Sequence, residues 1–144
     1  VANDSVSHRV YAWRSFDGPD ADREADLVGG FPVSTPDRVG AVSVPALGDV
    51  DGDGDLEIFV GGDQSFYGWH HDGTAIVANS NGVFLAGGLY IYGTAALADL
   101  NGNGTADVII GGRSSDCAIF AAPAIISSRV VGTFRPCFSR MSLR

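Results

Sequence analysis

The sequence predicts an all-β fold of short antiparallel strands grouped into repeated four-stranded sheets. Three observations point there. The 144 residues include 20 Gly and 6 Pro, which interrupt helices and favour short strands joined by tight turns. One acidic, glycine-rich stretch recurs at a fixed offset of 50 residues. The dense apolar runs that leave each copy, Ile58-Phe-Val60 and Val108-Ile-Ile110, have the length of strands and end on Gly-Gly pairs.

The repeat orders the elements. Ala46-Leu-Gly-Asp49-Val-Asp-Gly-Asp-Gly-Asp-Leu-Glu57-Ile-Phe-Val-Gly-Gly62 returns as Ala96-Leu-Ala-Asp99-Leu-Asn-Gly-Asn-Gly-Thr-Ala-Asp107-Val-Ile-Ile-Gly-Gly112. In each unit an alternating stretch, Val42-Ser-Val44 or Leu89-Tyr-Ile91-Tyr, is expected to be the strand entering the acidic loop, and the apolar run the strand leaving it. An aromatic strand, Phe66-Tyr-Gly-Trp69, follows and closes on the Asp72-Gly73 turn. In the second unit Cys117-Ala-Ile-Phe120 takes that place without the Asp-Gly turn. Tyr11-Ala-Trp13 followed by Asp17-Gly18 repeats the aromatic element with an offset of 56, so residues 1–37 read as the tail of an earlier unit and a crossing loop. The resulting division is 1–37, 38–87 with the loop 49–57, 88–122 with the loop 99–107, and a C-terminal segment 123–144. Units of about 50 residues with four short strands suit propeller blades. About two and a half to three blades are present, fewer than the 4–8 of closed propellers, so an incomplete propeller or an open, oligomeric array is expected.

Composition limits the function. The formal charge is −8, from 17 acidic and 9 basic residues, all of the basic ones Arg, and such a chain repels a phosphate backbone. Nucleic acid is therefore excluded as the expected partner, and no apolar run has membrane-spanning length. Val1 in place of Met fits a processed, secreted form. Cys117 and Cys137 fit either one disulfide or two free thiols. Asp17, Asp20, Asp22, Glu24 and Asp26 cluster in the crossing loop but with Pro19 and Ala21 where oxygen donors would be needed, which reads as a solvated loop. From Cys117 onward there is no acid and four Arg, a contrast that fits either a docking segment for an acidic surface or a plain basic end.

The acidic loops carry the chemistry. Oxygen side chains fall at positions 1, 3, 5 and 9: Asp49, Asp51, Asp53 and Glu57 in the first loop, Asp99, Asn101, Asn103 and Asp107 in the second. Glycines at positions 4 and 6 allow the tight curl that aims alternate side chains at one point, and Asp55 and Thr105 at position 7 would offer backbone carbonyls. Calcium takes six to eight hard oxygens, whereas magnesium demands stricter octahedral geometry, so Ca2+ at two sites is expected. Counting Asp55, the first loop holds five acids and the second two, so the first should repel itself without a cation while the second tolerates its absence.

Segments 46–62, 66–73 and 96–112 resemble FG-GAP/VCBS-type repeats, the blades of integrin alpha-chain propellers and of many secreted bacterial proteins. The likeness spans roughly residues 10 to 120 and leaves the C-terminal 25 residues outside. It implies a calcium ion in each acidic loop, held by the residues just named. It also implies an extracellular or cell-surface setting. Departures are Glu57 for the usual final Asp, Asn103 at the fifth position and the altered strand at Cys117. Some members are lectins or polysaccharide lyases, and Trp13, Trp69, Tyr67, Tyr90 and Tyr92 are the aromatic residues able to stack on a sugar.

An enzyme is not expected. The histidines are His8 and the pair His70-His71, and adjacent residues on a strand point to opposite faces, which gives the pair no shared catalytic or transition-metal role. The expected function is a calcium-binding extracellular structural protein that self-associates as a homo-oligomer or docks to partner chains. The alternative is an adhesive, lectin-like module with a carbohydrate or protein ligand.

Overall fold

The computed structural model describes residues 1–14, 26–39, 43–78, 80–86, 93–111, 116–120 and 135–136. Every helix or strand among them is a strand, and every strand pairing is antiparallel. Three sheets follow one another along the chain. The first joins β1 (Ala2–Asp4), β2 (Arg9–Tyr11) and β3 (Val33–Ser34) in the order β1-β2-β3. The second is the meander β4 (Ala46–Gly48), β5 (Glu57–Gly61), β6 (Ser65–Trp69) and β7 (Val83–Ala86). The third repeats that meander with β8 (Ala96–Ala98), β9 (Asp107–Gly111), β10 (Asp116–Phe120) and β11 (Arg135–Pro136). The all-β, blade-like architecture is the one the repeats imply, and the sheets do not close on themselves.

The apolar run at β5 lacks polar alternation because both faces of the middle sheet are covered. Ile58 and Val60 join Tyr67 and Trp69 in a core shared with Val10, Ala12, Phe31 and Val39 from the N-terminal part of the chain. Phe59 and Phe66 point the other way, into a core with Val108 and Ile110 of β9. There Phe84 meets the rings of Phe59 and Phe66 edge-on at 5.4 and 6.0 Å between centroids. Phe66 pairs with Leu85 and Tyr67 with Val83, so Phe84 is an extra residue in β7, a bulge that turns it toward this cluster.

The aromatic repeat is also a repeat in space. Tyr67 and Trp69 stack at 5.7 Å with ring planes 8° apart; Tyr11 and Trp13 stack at 5.6 Å and 8°. This equates β2 with β6 and β3 with β7, and among the described residues the first sheet has no counterpart of β4.

The strand entering the first acidic loop differs from expectation. It is Ala46–Gly48, after Pro45; Ser43 and Val44 belong to no strand, and Val42 lies outside the described residues. Pro45 has no N–H for a ladder. Ser43 and Val44 serve instead as a clasp: Ser43 Oγ accepts from Gly61 N–H at 2.9 Å, and Val44 N–H donates to Thr94 Oγ1 at 3.2 Å. Residues 17, 20, 22 and 24, Tyr90, Tyr92, Cys137 and hence its pairing with Cys117, and all of 123–144 except 135–136 lie outside the described residues. The third sheet takes its fourth strand from that basic segment. No helix among the described residues is long and apolar enough to cross a membrane.

Candidate metal centre

Each acidic loop joins an edge strand of a sheet to its neighbour, β4 to β5 and β8 to β9. Gly52, Gly54, Gly102 and Gly104 have φ of +82°, +93°, +74° and +91°, the left-handed conformation that side chains resist. The curl they create turns amide hydrogens inward onto the first carboxylate. Gly52 and Gly54 donate to Asp49 at 2.6 and 3.1 Å, and Gly102 and Gly104 to Asp99 at 2.7 and 2.9 Å. Asp53 and Asp55 N–H donate to Asp51 and Asp53, as Asn103 and Thr105 N–H do to Asn101 and Asn103. The last carboxylate closes the loop by accepting from Val50 N–H at 2.8 Å (Glu57) or Leu100 N–H at 3.0 Å (Asp107). The two loops are thus built by the same bonds at an offset of 50. These amides, above all Gly104 N–H, hold the Asp99 carboxyl below the ordinary range against the opposing effect of burial.

The loops lie side by side, with Ala106 N–H donating to the Asp49 carbonyl at 2.9 Å. They differ in how their final carboxylate is satisfied. Asn101 Nδ2 sits 3.2 Å from both oxygens of Asp107, whereas Asp51 in the equivalent place has no proton to give. Glu57 is 0 % exposed, and its Oε1 accepts no hydrogen bond. Burial pushes its carboxyl up; the Val50 N–H opposes this, the charge of Asp51 adds to it, and His70 opposes it. A buried acceptor without a hydrogen bond, beside the charge of Asp51 and facing His70 Nδ1 at 3.4 Å, is a group suited to a cation.

Donor atoms of Asp49, Asp51 and Asp53 lie within 4.8 Å of one another, and so do those of Asp51, Glu57 and His70. Asp55 turns outward, 3.5 Å from His71 Nδ1. In the second loop the Thr105 hydroxyl donates to Asn103 Oδ1 at 2.8 Å. The first loop therefore holds an acidic cluster able to take a metal ion.

Residues 49–110 match the family model for the FG-GAP-like repeat. That segment is similar to an FG-GAP-like repeat. The match begins at the first aspartate of one loop and ends in the strand that leaves the other, so both loops fall inside the FG-GAP-like segment. No curated protein and no solved structure gives a match to the chain.

Sequence reasoning missed the approach of both histidines to the first loop. β6 ends at Trp69, so strand alternation does not govern the pair. The signal was the hairpin register: Ile58 pairs with Trp69, and one further step sets Glu57 opposite His70.

Proposed function

We propose that the chain is a calcium-stabilised extracellular β-repeat module that works by assembly and not by catalysis, with its open blade faces docking on blades of another copy or of a larger propeller. The observation that carries this reading is the contrast between two equivalent aromatic pairs. Trp69 is 2 % exposed beneath the neighbouring sheet, whereas Trp13, in the same stacked pair one unit earlier, is 40 % exposed. A face built for a blade and left uncovered is an association surface.

Calcium would be held in the first loop by Asp49, Asp51, Asp53 and Glu57 with the carbonyl of Asp55, and in the second by Asp99, Asn101, Asn103 and Asp107 with that of Thr105. It would supply positive charge that lets the curled loops fix neighbouring strands. Native mass spectrometry with calcium and after chelation tests the proposal: assemblies that shrink on chelation support it, and a monomer under both conditions refutes it.

A carbohydrate-binding reading is favoured by the same exposed stack, since Tyr11 and Trp13 present a flat aromatic platform. Calcium-dependent retention on a glycan array would establish it in place of assembly.

A further inference from the structure

His70 is fixed by the turn that ends β6. Its N–H donates to the Thr74 carbonyl at 2.8 Å and its own carbonyl accepts from Gly73 N–H at 3.0 Å. That turn leaves Nδ1 3.4 Å from Glu57 Oε1 and 3.6 Å from Asp51 Oδ2. Glu57 is fully buried, and Oε1, the oxygen facing the imidazole, has no hydrogen bond. Three donor atoms, two oxygens and one nitrogen, thus converge within 4.8 Å of one another.

We propose that Asp51, Glu57 and His70 form a site for a transition-series divalent cation, zinc being the representative ion. The inference rests on the reading of the first loop as a cation site and adds a second ion that the loop can take in place of calcium, since Asp51 and Glu57 serve both; the second loop takes calcium alone. Calcium and magnesium take oxygen ligands, and an imidazole nitrogen offers them little. Zinc binds His nitrogen and carboxylate oxygen at about 2.0–2.2 Å, and three protein ligands leave a fourth position for water. Neutral His70 would ligate through Nδ1 and carry its proton on Nε2. The second loop has neither the second carboxylate nor a histidine facing the last one, because Asn101 stands at the place of Asp51 and its amide donates to both oxygens of Asp107. The competing account is a protonated His70 serving as an internal counter-ion to Glu57 and Asp51, with no metal at all.

Tag-free protein in millimolar calcium should be titrated with zinc by calorimetry and with cobalt(II) by visible absorption and proton NMR. Wild type is expected to take up one zinc ion, and its cobalt form to show a hyperfine-shifted, exchangeable imidazole N–H. His70→Gln should weaken zinc by no less than the about 10–100-fold that loss of an outer-shell partner costs, while calcium binding stays unchanged. His71→Gln, altering an exposed neighbour, should leave zinc affinity as it is. Zinc binding by His70→Gln equal to wild type, or a cobalt form without the imidazole signal, overturns the inference. Calcium uptake without zinc uptake overturns it and leaves the calcium reading standing; uptake of neither ion overturns both.

Discussion

Replacing Glu57 with Gln should raise stability in the absence of a cation and cut the stability that a bound cation adds. The amide retains an oxygen for the Val50 N–H and puts a donor where Oε1 is unpaired, next to Asp51. An unsatisfied buried acceptor costs about 1–3 kcal/mol, so in chelator Glu57→Gln should be more stable than wild type by an amount of that order. At a calcium concentration about 100 times Kd, binding adds ~2.7 kcal/mol to the wild type; a hundredfold weaker site in the variant would add only ~0.4 kcal/mol. Thermal unfolding by circular dichroism, in EDTA and in calcium, reads both effects. With a slope of about 3–5 °C per kcal/mol for a chain of this size, the variant should melt several degrees higher in EDTA and gain far less from the cation. A variant that melts lower than wild type by the same margin in both buffers would refute the assignment of Glu57 as a carboxylate held for an ion.

Three further outcomes test the packing. Trp13→Ser should leave monomer stability within about 1 kcal/mol yet weaken association measured by sedimentation, whereas Trp69→Ala, at the buried equivalent position, should cost about 3–5 kcal/mol by denaturant titration. Gly82→Ala should be strongly destabilising, by more than about 2 kcal/mol, because φ is +80° and a Cβ would lie 2.3 Å from the Trp69 ring; urea unfolding checks it. The Tyr67 hydroxyl donates to Asp37 Oδ1, and burial, reinforced by that carboxylate, raises its pKa well above the ordinary value near 10. Its contribution is therefore intact below about pH 10 and lost as the pH climbs toward the folded value; Tyr67→Phe should cost about 1.5–3 kcal/mol at neutral pH and lose that alkaline slope in stability.

The loops and the sheets were legible because both follow from local chemistry. Glycine at positions 4 and 6 forces the curl, and the same spacing recurs 50 residues on, so the bond pattern of one loop predicts that of the other. The doubly covered middle sheet was foreshadowed by Ile58-Phe-Val60, apolar on both faces. What escaped depends on through-space partners. Ser43 reaches Gly61 and the carbonyl of Gly93, and Val44 reaches Thr94, contacts set by how the two sheets stack. The entering strand was misplaced for the same reason, since Ser43 and Val44 alternate like a strand but bond outside any ladder. His70 was hidden because periodicity alone could not say where β6 stops.

The amide of Ala106 reaching the Asp49 carbonyl gives the pair of loops a polarity. The donor directly precedes Asp107, while the acceptor belongs to Asp49 itself, so each pocket is partly framed by the one before it. Coupling through that bond is reciprocal, so a cation taken up by one loop would change the affinity of the other by the same factor, and affinities measured on an excised single unit would misstate those of the joined chain.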